Sequence, residues 1–126
     1  MSTHLTSIKV DFAAITKARK LLNQFPIYLQ QELGKAVLTL VLIIEAKAKQ
    51  LCPVDTGNLR SSITPVVVSW AQGFVGTNVE YAPHVEFGTV KADPQPYFEP
   101  AYLEGKRQAN RIFNAAVKRA MKRAVR

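Results

Sequence analysis

The chain has 126 residues, 48% of them hydrophobic and 21% charged, a balance that suits one folded domain and excludes a disordered polymer. Its single cysteine, Cys52, excludes an intramolecular disulfide and is expected to be a buried, inert thiol; the longest nearly apolar run, Val37 to Ile44, falls far short of the ~20 residues that a membrane helix needs. The net charge of +8 sits at the carboxyl end, where Lys106, Arg107, Arg111, Lys118, Arg119, Lys122, Arg123 and Arg126 take eight of the 17 bases and leave nine to balance all nine acids.

In chain order, Ser7-Ile8-Lys9-Val10-Asp11-Phe12 alternates polar and apolar residues, the period of a half-buried strand. Asp11 is placed to cap a modest helix whose face is Phe12, Ile15, Ala18 and Leu22. Pro26 closes that segment and opens a long helix to Leu51, because Leu29, Leu33, Val37, Leu40, Ile44, Ala48 and Leu51 recur at helical spacing. Glu45 and Lys49, four apart in the favourable order, support a helix, although the β-branched content of Val37–Ile44 leaves a buried strand as the alternative. As a helix, that run is apolar around nearly its whole circumference, so one side stays uncovered in a small monomer and calls for a subunit partner.

Pro53 stops the long helix. Asp55-Thr56-Gly57-Asn58 is turn chemistry, with Asp55 expected to cap one helical turn over Leu59 to Ser62 and Gly57 expected at positive φ. Ile63 to Trp70 and Phe74 to Asn78 read as strands around an Ala71-Gln72-Gly73 hairpin loop, and Pro65 places an edge or a bulge there. Tyr81 to Thr89 is expected to begin as a turn and continue as a third short strand, and Lys91 to Pro96 to form an exposed loop. Pro100 suits the first turn of a last helix, about 100–126, with Leu103, Ile112, Phe113, Ala116, Val117, Ala120, Met121 and Ala124 on one face and Gly105 weakening its first turns. The fold class is therefore α+β, one domain over residues 1–126, with a small, mainly antiparallel sheet packed against a long central helix and a C-terminal helix.

Few residues suggest chemistry. Asp55-Thr56-Gly57 matches the short signature of aspartic proteases, which need two such carboxylates, but here it follows the end of the expected long helix and not an apolar strand. His84 and Glu86, two apart, would share one strand face, yet with His4 and Cys52 they do not make a closed metal site. Ser61, Ser62 and His84 lack the elbow of a nucleophilic hydrolase, and no glycine loop suited to phosphate is present, so neither a cofactor nor a metal is expected. Lys118, Arg119, Lys122, Arg123 and Arg126 recur on the expected solvent side of the last helix, as contacts for DNA phosphates, for an acidic partner, or for solvent alone beside the helix dipole. Met1-Ser2-Thr3-His4-Leu5 has no signal-peptide pattern, so function is expected to begin in the cytoplasm.

Three blocks stand in order: Cys52-Pro53-Val54-Asp55-Thr56-Gly57-Asn58-Leu59-Arg60-Ser61-Ser62-Ile63, Val75-Gly76-Thr77-Asn78-Val79-Glu80-Tyr81-Ala82-Pro83-His84-Val85-Glu86-Phe87-Gly88-Thr89, and Pro94-Gln95-Pro96-Tyr97-Phe98-Glu99-Pro100-Ala101. Together they resemble the gene-product-ten-like tail-component family of lambdoid tailed phages, over nearly the whole chain. The resemblance implies a structural virion protein, without cofactor or catalytic site, in the neck or tail-completion ring that joins head to tail. It implies a homo-oligomer of about six or twelve subunits, from the symmetry of tails and connectors. Its partners would be head-completion and tail proteins and the DNA in the lumen, with no membrane, and its life before assembly would be in the host cytoplasm. Asp55, Thr56, Gly57, Leu59 and Ile63 carry over as fold-defining positions, and Tyr81, Val85, Glu86, Phe87 and Gly88 as fold or interface positions. The alternatives are a small DNA-binding protein without sequence preference, using the basic helix, and an aspartic protease using Asp55-Thr56-Gly57.

Overall fold

The computed structural model describes residues 6–10, 26–53 and 57–124. The elements are β1 (Thr6–Val10), α1 (Pro26–Leu51), α2 (Asn58–Ser62), β2 (Thr64–Ser69), β3 (Gln72–Thr77), α3 (Ala82–Phe87) and α4 (Phe98–Ala124). The helix expected over Phe12 to Leu22, with its cap Asp11, lies outside the described residues.

The long helix α1 has the expected bounds, and the strand alternative for Val37–Ile44 fails because these residues lie in its middle. Leu29, Leu33, Val37, Leu40, Val41, Ile44 and Ala48 are buried at helical spacing, and Lys49 pairs with Glu45 at 3.1 Å. Ile27–Leu51 is also long and apolar enough, at a mean hydropathy of 1.4, to cross a membrane. Here that apolarity serves packing, since α4 covers one flank of α1 and the sheet another. A third side remains open, with Leu38 46% and Leu42 44% exposed, as the all-round apolar run predicts.

Helix α4 runs antiparallel to α1: Gly105 lies against Ile44, whereas Arg119 and Arg123 reach back to Glu32. The approach at Gly105 is too close for a side chain, as a Cβ there would fall 2.6 Å from Ile44 Cγ1. Gly105 thus serves helix contact, a stronger reason for its presence than the weak first turns expected from propensity. The buried face of α4 is Phe98, Ala101, Gly105, Ala109, Ile112, Phe113, Ala116 and Ala120. Leu103 and Met121, both expected on that face, are instead 53% and 50% exposed. The small residues at 101, 105 and 109 define the packed stripe, and Leu103 falls between its turns.

The sheet has the order β1-β3-β2 and is antiparallel throughout. Gly73, Val75 and Thr77 of β3 are buried, while Phe74 and Gly76 alternate to the opposite face, and Val37 and Val41 of α1 lie over Gly73. Pro65 lies on an edge strand, where a missing N–H is tolerated, but the irregularity of β2 falls between Val67 and Ser69. Gln72 and Gly73 belong to β3, so the hairpin turn is shorter than the expected Ala71-Gln72-Gly73 loop. Tyr81 to Thr89 does not supply the third strand; β1 does. That segment holds α3 instead, because Pro83 suits a first helical turn and the Tyr81 carbonyl accepts the N–H groups of His84 and Val85 at 3.0 and 3.2 Å.

Candidate functional site

The second of the three blocks builds a rigid frame at the start of α4. Glu86 lies on α3 and is buried, and its carboxylate accepts three backbone N–H groups: Tyr97 at 3.0 Å and Phe98 at 2.9 Å on Oε1, and Glu99 at 3.2 Å on Oε2. These are the orphan donors of a helix amino terminus, where the helix dipole also favours negative charge. The residue therefore acts as a cap delivered from eleven to thirteen positions upstream. Gly88 ends α3 at φ 78 and ψ 174, a region essentially reserved for glycine, and a Cβ there would meet Pro94 N at 2.8 Å. Gln95 N–H donates to the Val85 carbonyl at 2.8 Å, and Thr89 exchanges backbone hydrogen bonds with Ala92. The loop from Lys91 to Pro96 is exposed as expected, but both its ends are tied.

This frame divides the motif residues by task. Val85 packs on the core and Glu86 holds α4, whereas Phe87 is 73% and Tyr81 43% exposed, and Val90 beyond them is fully exposed. Leu59 and Ile63 are buried, consistent with fold positions. Gly57 occupies the amino-cap position of α2 at φ 77, the left-handed conformation expected of it. Asp55 and Thr56 lie outside the described residues, and with them the capping and protease readings of Asp55. His84 is exposed on α3, not on a strand face beside Glu86. Among the described residues no three His, Cys, Asp or Glu side chains gather as metal ligands.

Beneath the frame, Tyr97 is buried with its ring 4.6 Å from that of Phe98, and its hydroxyl has no hydrogen-bond partner. Burial, with Cys52, Glu86 and Tyr81 nearby, pushes the phenol far above its ordinary range. Cys52 is buried, as expected, and burial raises its thiol, with Arg60 opposing and Glu86 adding to the shift.

The basic end of α4 is only partly free. Glu32 of α1, 3% exposed, accepts Arg119 Nε at 3.0 Å and Arg123 Nη1 at 3.3 Å, with Lys35 at 3.4 Å. Arg123 also donates to Gln31 at 2.7 Å and lies 4.5 Å over the Tyr28 ring. Burial pushes the Glu32 carboxyl up, but hydrogen bonds from Arg119 and Lys35, and the charges of both, hold it below its ordinary value. Two of the five cations expected to face solvent, Arg119 and Arg123, are thus paired as well as part-exposed, with a partner the sequence conceals because Glu32 lies some ninety positions away. Lys118 and Lys122 are exposed, and Arg126 lies outside the described residues.

A groove of about 380 Å³ that sequence reasoning did not anticipate lies on the sheet, between Val66 and Phe74 and rimmed by Ser62, Thr64 and Asn78. Its only sequence signal was the Val66-Val67-Val68 run, of which all three residues are exposed. The arrangement as a whole offers exposed apolar side chains on rigid supports, the makings of a docking surface.

Residues 15–88 match a family model described as "Bacteriophage HK97-gp10, putative tail-component". The match includes Glu86 and Gly88 but ends before the third block and α4, so it covers less of the chain than the motif order suggested. No curated protein and no solved structure matches the chain.

Proposed function

Since the chain belongs to the HK97-gp10-like family of bacteriophage tail components, we propose that this structural phage protein forms a homo-oligomeric ring at the head–tail junction, through which the genome passes. The observation that carries the ring is uncovered apolar surface on a well-packed small domain: Leu38 and Leu42 on α1, and Phe87 with Val90 beyond α3. Identical subunits meeting head to tail cover such surface and close into a ring when the rotation allows it. A count of about six or twelve follows the symmetry of tails and connectors. Neighbouring head-completion and tail proteins would stack on its two faces.

Among the described residues, Lys118 and Lys122 are the exposed cations of α4's end outside the Glu32 ion pairs, equipped to meet DNA phosphate or an acidic protein surface. The test is to assemble virions without this subunit. The expected products are tailless particles, or filled heads that leak DNA. Infectious virions with intact tails and full heads would overturn the proposal.

A further inference from the structure

Phe87 and Val90 are the most exposed large apolar side chains of the described residues, at 73% and 103%. They stand on the rigid frame fixed by Glu86, by the Gln95–Val85 bond and by the Thr89–Ala92 pair, so little ordering is needed to present them. The exposed carboxylates and ammonium groups of the segment from Glu80 to Glu99 that carries them are Glu80, Asp93 and Glu99 against Lys91, an acidic balance. An apolar centre with a charged rim is the composition of an interface patch.

The opposite end of α4 has the complementary character. Met121 is 50% exposed between Lys118 and Lys122, and no acidic residue follows Glu104. Arg119 and Arg123, tied to Glu32, fix this end of the helix and leave the two lysines outward. Glu99 and Lys122 are separated by one unbroken helix, roughly 35 Å at 1.5 Å per residue. The acidic knob and the basic end of one chain therefore cannot meet each other.

Resting on the ring reading above, we infer that the Phe87–Val90 knob of one subunit docks on Met121, between Lys118 and Lys122, of the next copy of this chain. The contact is heterologous, as a closed ring requires, and its charges set the direction in which subunits add. It assigns the lysines to the neighbouring subunit's acidic rim, not to phosphate.

The test uses the full chain with exposed residues altered. Lys118→Glu/Lys122→Glu and Glu80→Lys/Asp93→Lys are expected each to weaken self-association about tenfold or more in native mass spectrometry, with an unchanged circular-dichroism melt. Mixing the two should restore assembly, since each variant's knob then suits the other's helix end. Val90→Cys/Met121→Cys should give a ladder of intersubunit disulfides that neither single variant gives. A wild-type ring that survives both reversals and yields no ladder places the contact elsewhere and overturns this inference while the ring stands. A wild-type chain that stays monomeric, in solution and on the virion, overturns both. Loss of DNA association in the lysine variant with assembly intact would also overturn it.

Discussion

At its amino end α4 is held by Glu86, which accepts backbone N–H groups; at its carboxyl end it is held by Glu32, which accepts two arginine side chains. At the first end the helix itself supplies the positive partner, through unsatisfied donors and its dipole. At the second, residues 119 and 123 supply it. The two buried glutamates differ in how replaceable they are: backbone donors cannot turn elsewhere without unwinding the helix, while half-exposed guanidiniums can return to water.

Glu86→Ala should therefore have the largest effect, costing about 4 kcal/mol in urea denaturation, because three N–H groups lose one acceptor. If it costs no more than removal of Glu32's charge, the distinction between the two anchors collapses. Gly88→Ala should follow at about 3 kcal/mol, since it combines the glycine-only conformation with a contact on Pro94 that would displace the loop beside the cap. Glu32→Gln should cost about 2 kcal/mol, less than a fully buried pair, because Arg119 and Arg123 are 49% and 35% exposed.

Glu32 also carries a pH signature. Its carboxyl is held below the ordinary value of 4.5, so its contribution is complete above that value and is lost as pH falls through the depressed one. Stability measured from pH 6 down to about pH 3 should fall in wild type by an increment that Glu32→Gln lacks. The smallest effect has the opposite sign. Tyr97→Phe removes a buried hydroxyl without a partner and should stabilise by about 1 kcal/mol, raising the melting temperature. A loss of stability there would mean that the hydroxyl has a partner in the folded protein.

The same two ends explain what was legible in the sequence. Helix α1 could be bounded at both residues because Pro26, Pro53 and the leucine spacing are local signals. Leu59 and Ile63, carried over as fold-defining positions by the resemblance and not by a local signal, are buried. The Val85-Glu86-Phe87-Gly88 block was recognisable as a unit, but its alternation suggested a strand, and nothing local says that Glu86 would find the amides of residues 97 to 99 across an exposed loop. Arg119 and Arg123 read as solvent-facing from helical spacing, and they are half-exposed; their pairing with Glu32 was hidden because that partner is on another helix. Met121 and Leu103 were misplaced for a related reason: a helix rich in alanine has several faces of similar hydropathy, and only contact with α1 selects one.

The proposed ring is tested most directly by a cryo-electron microscopy map of the intact virion, resolved well enough to trace α1 and α4. The account predicts a closed ring of this chain at the head–tail junction, its subunits joined head to tail, with Phe87 and Leu38 covered by protein. The chain at another place on the particle, or as single copies with those side chains in solvent, would contradict it.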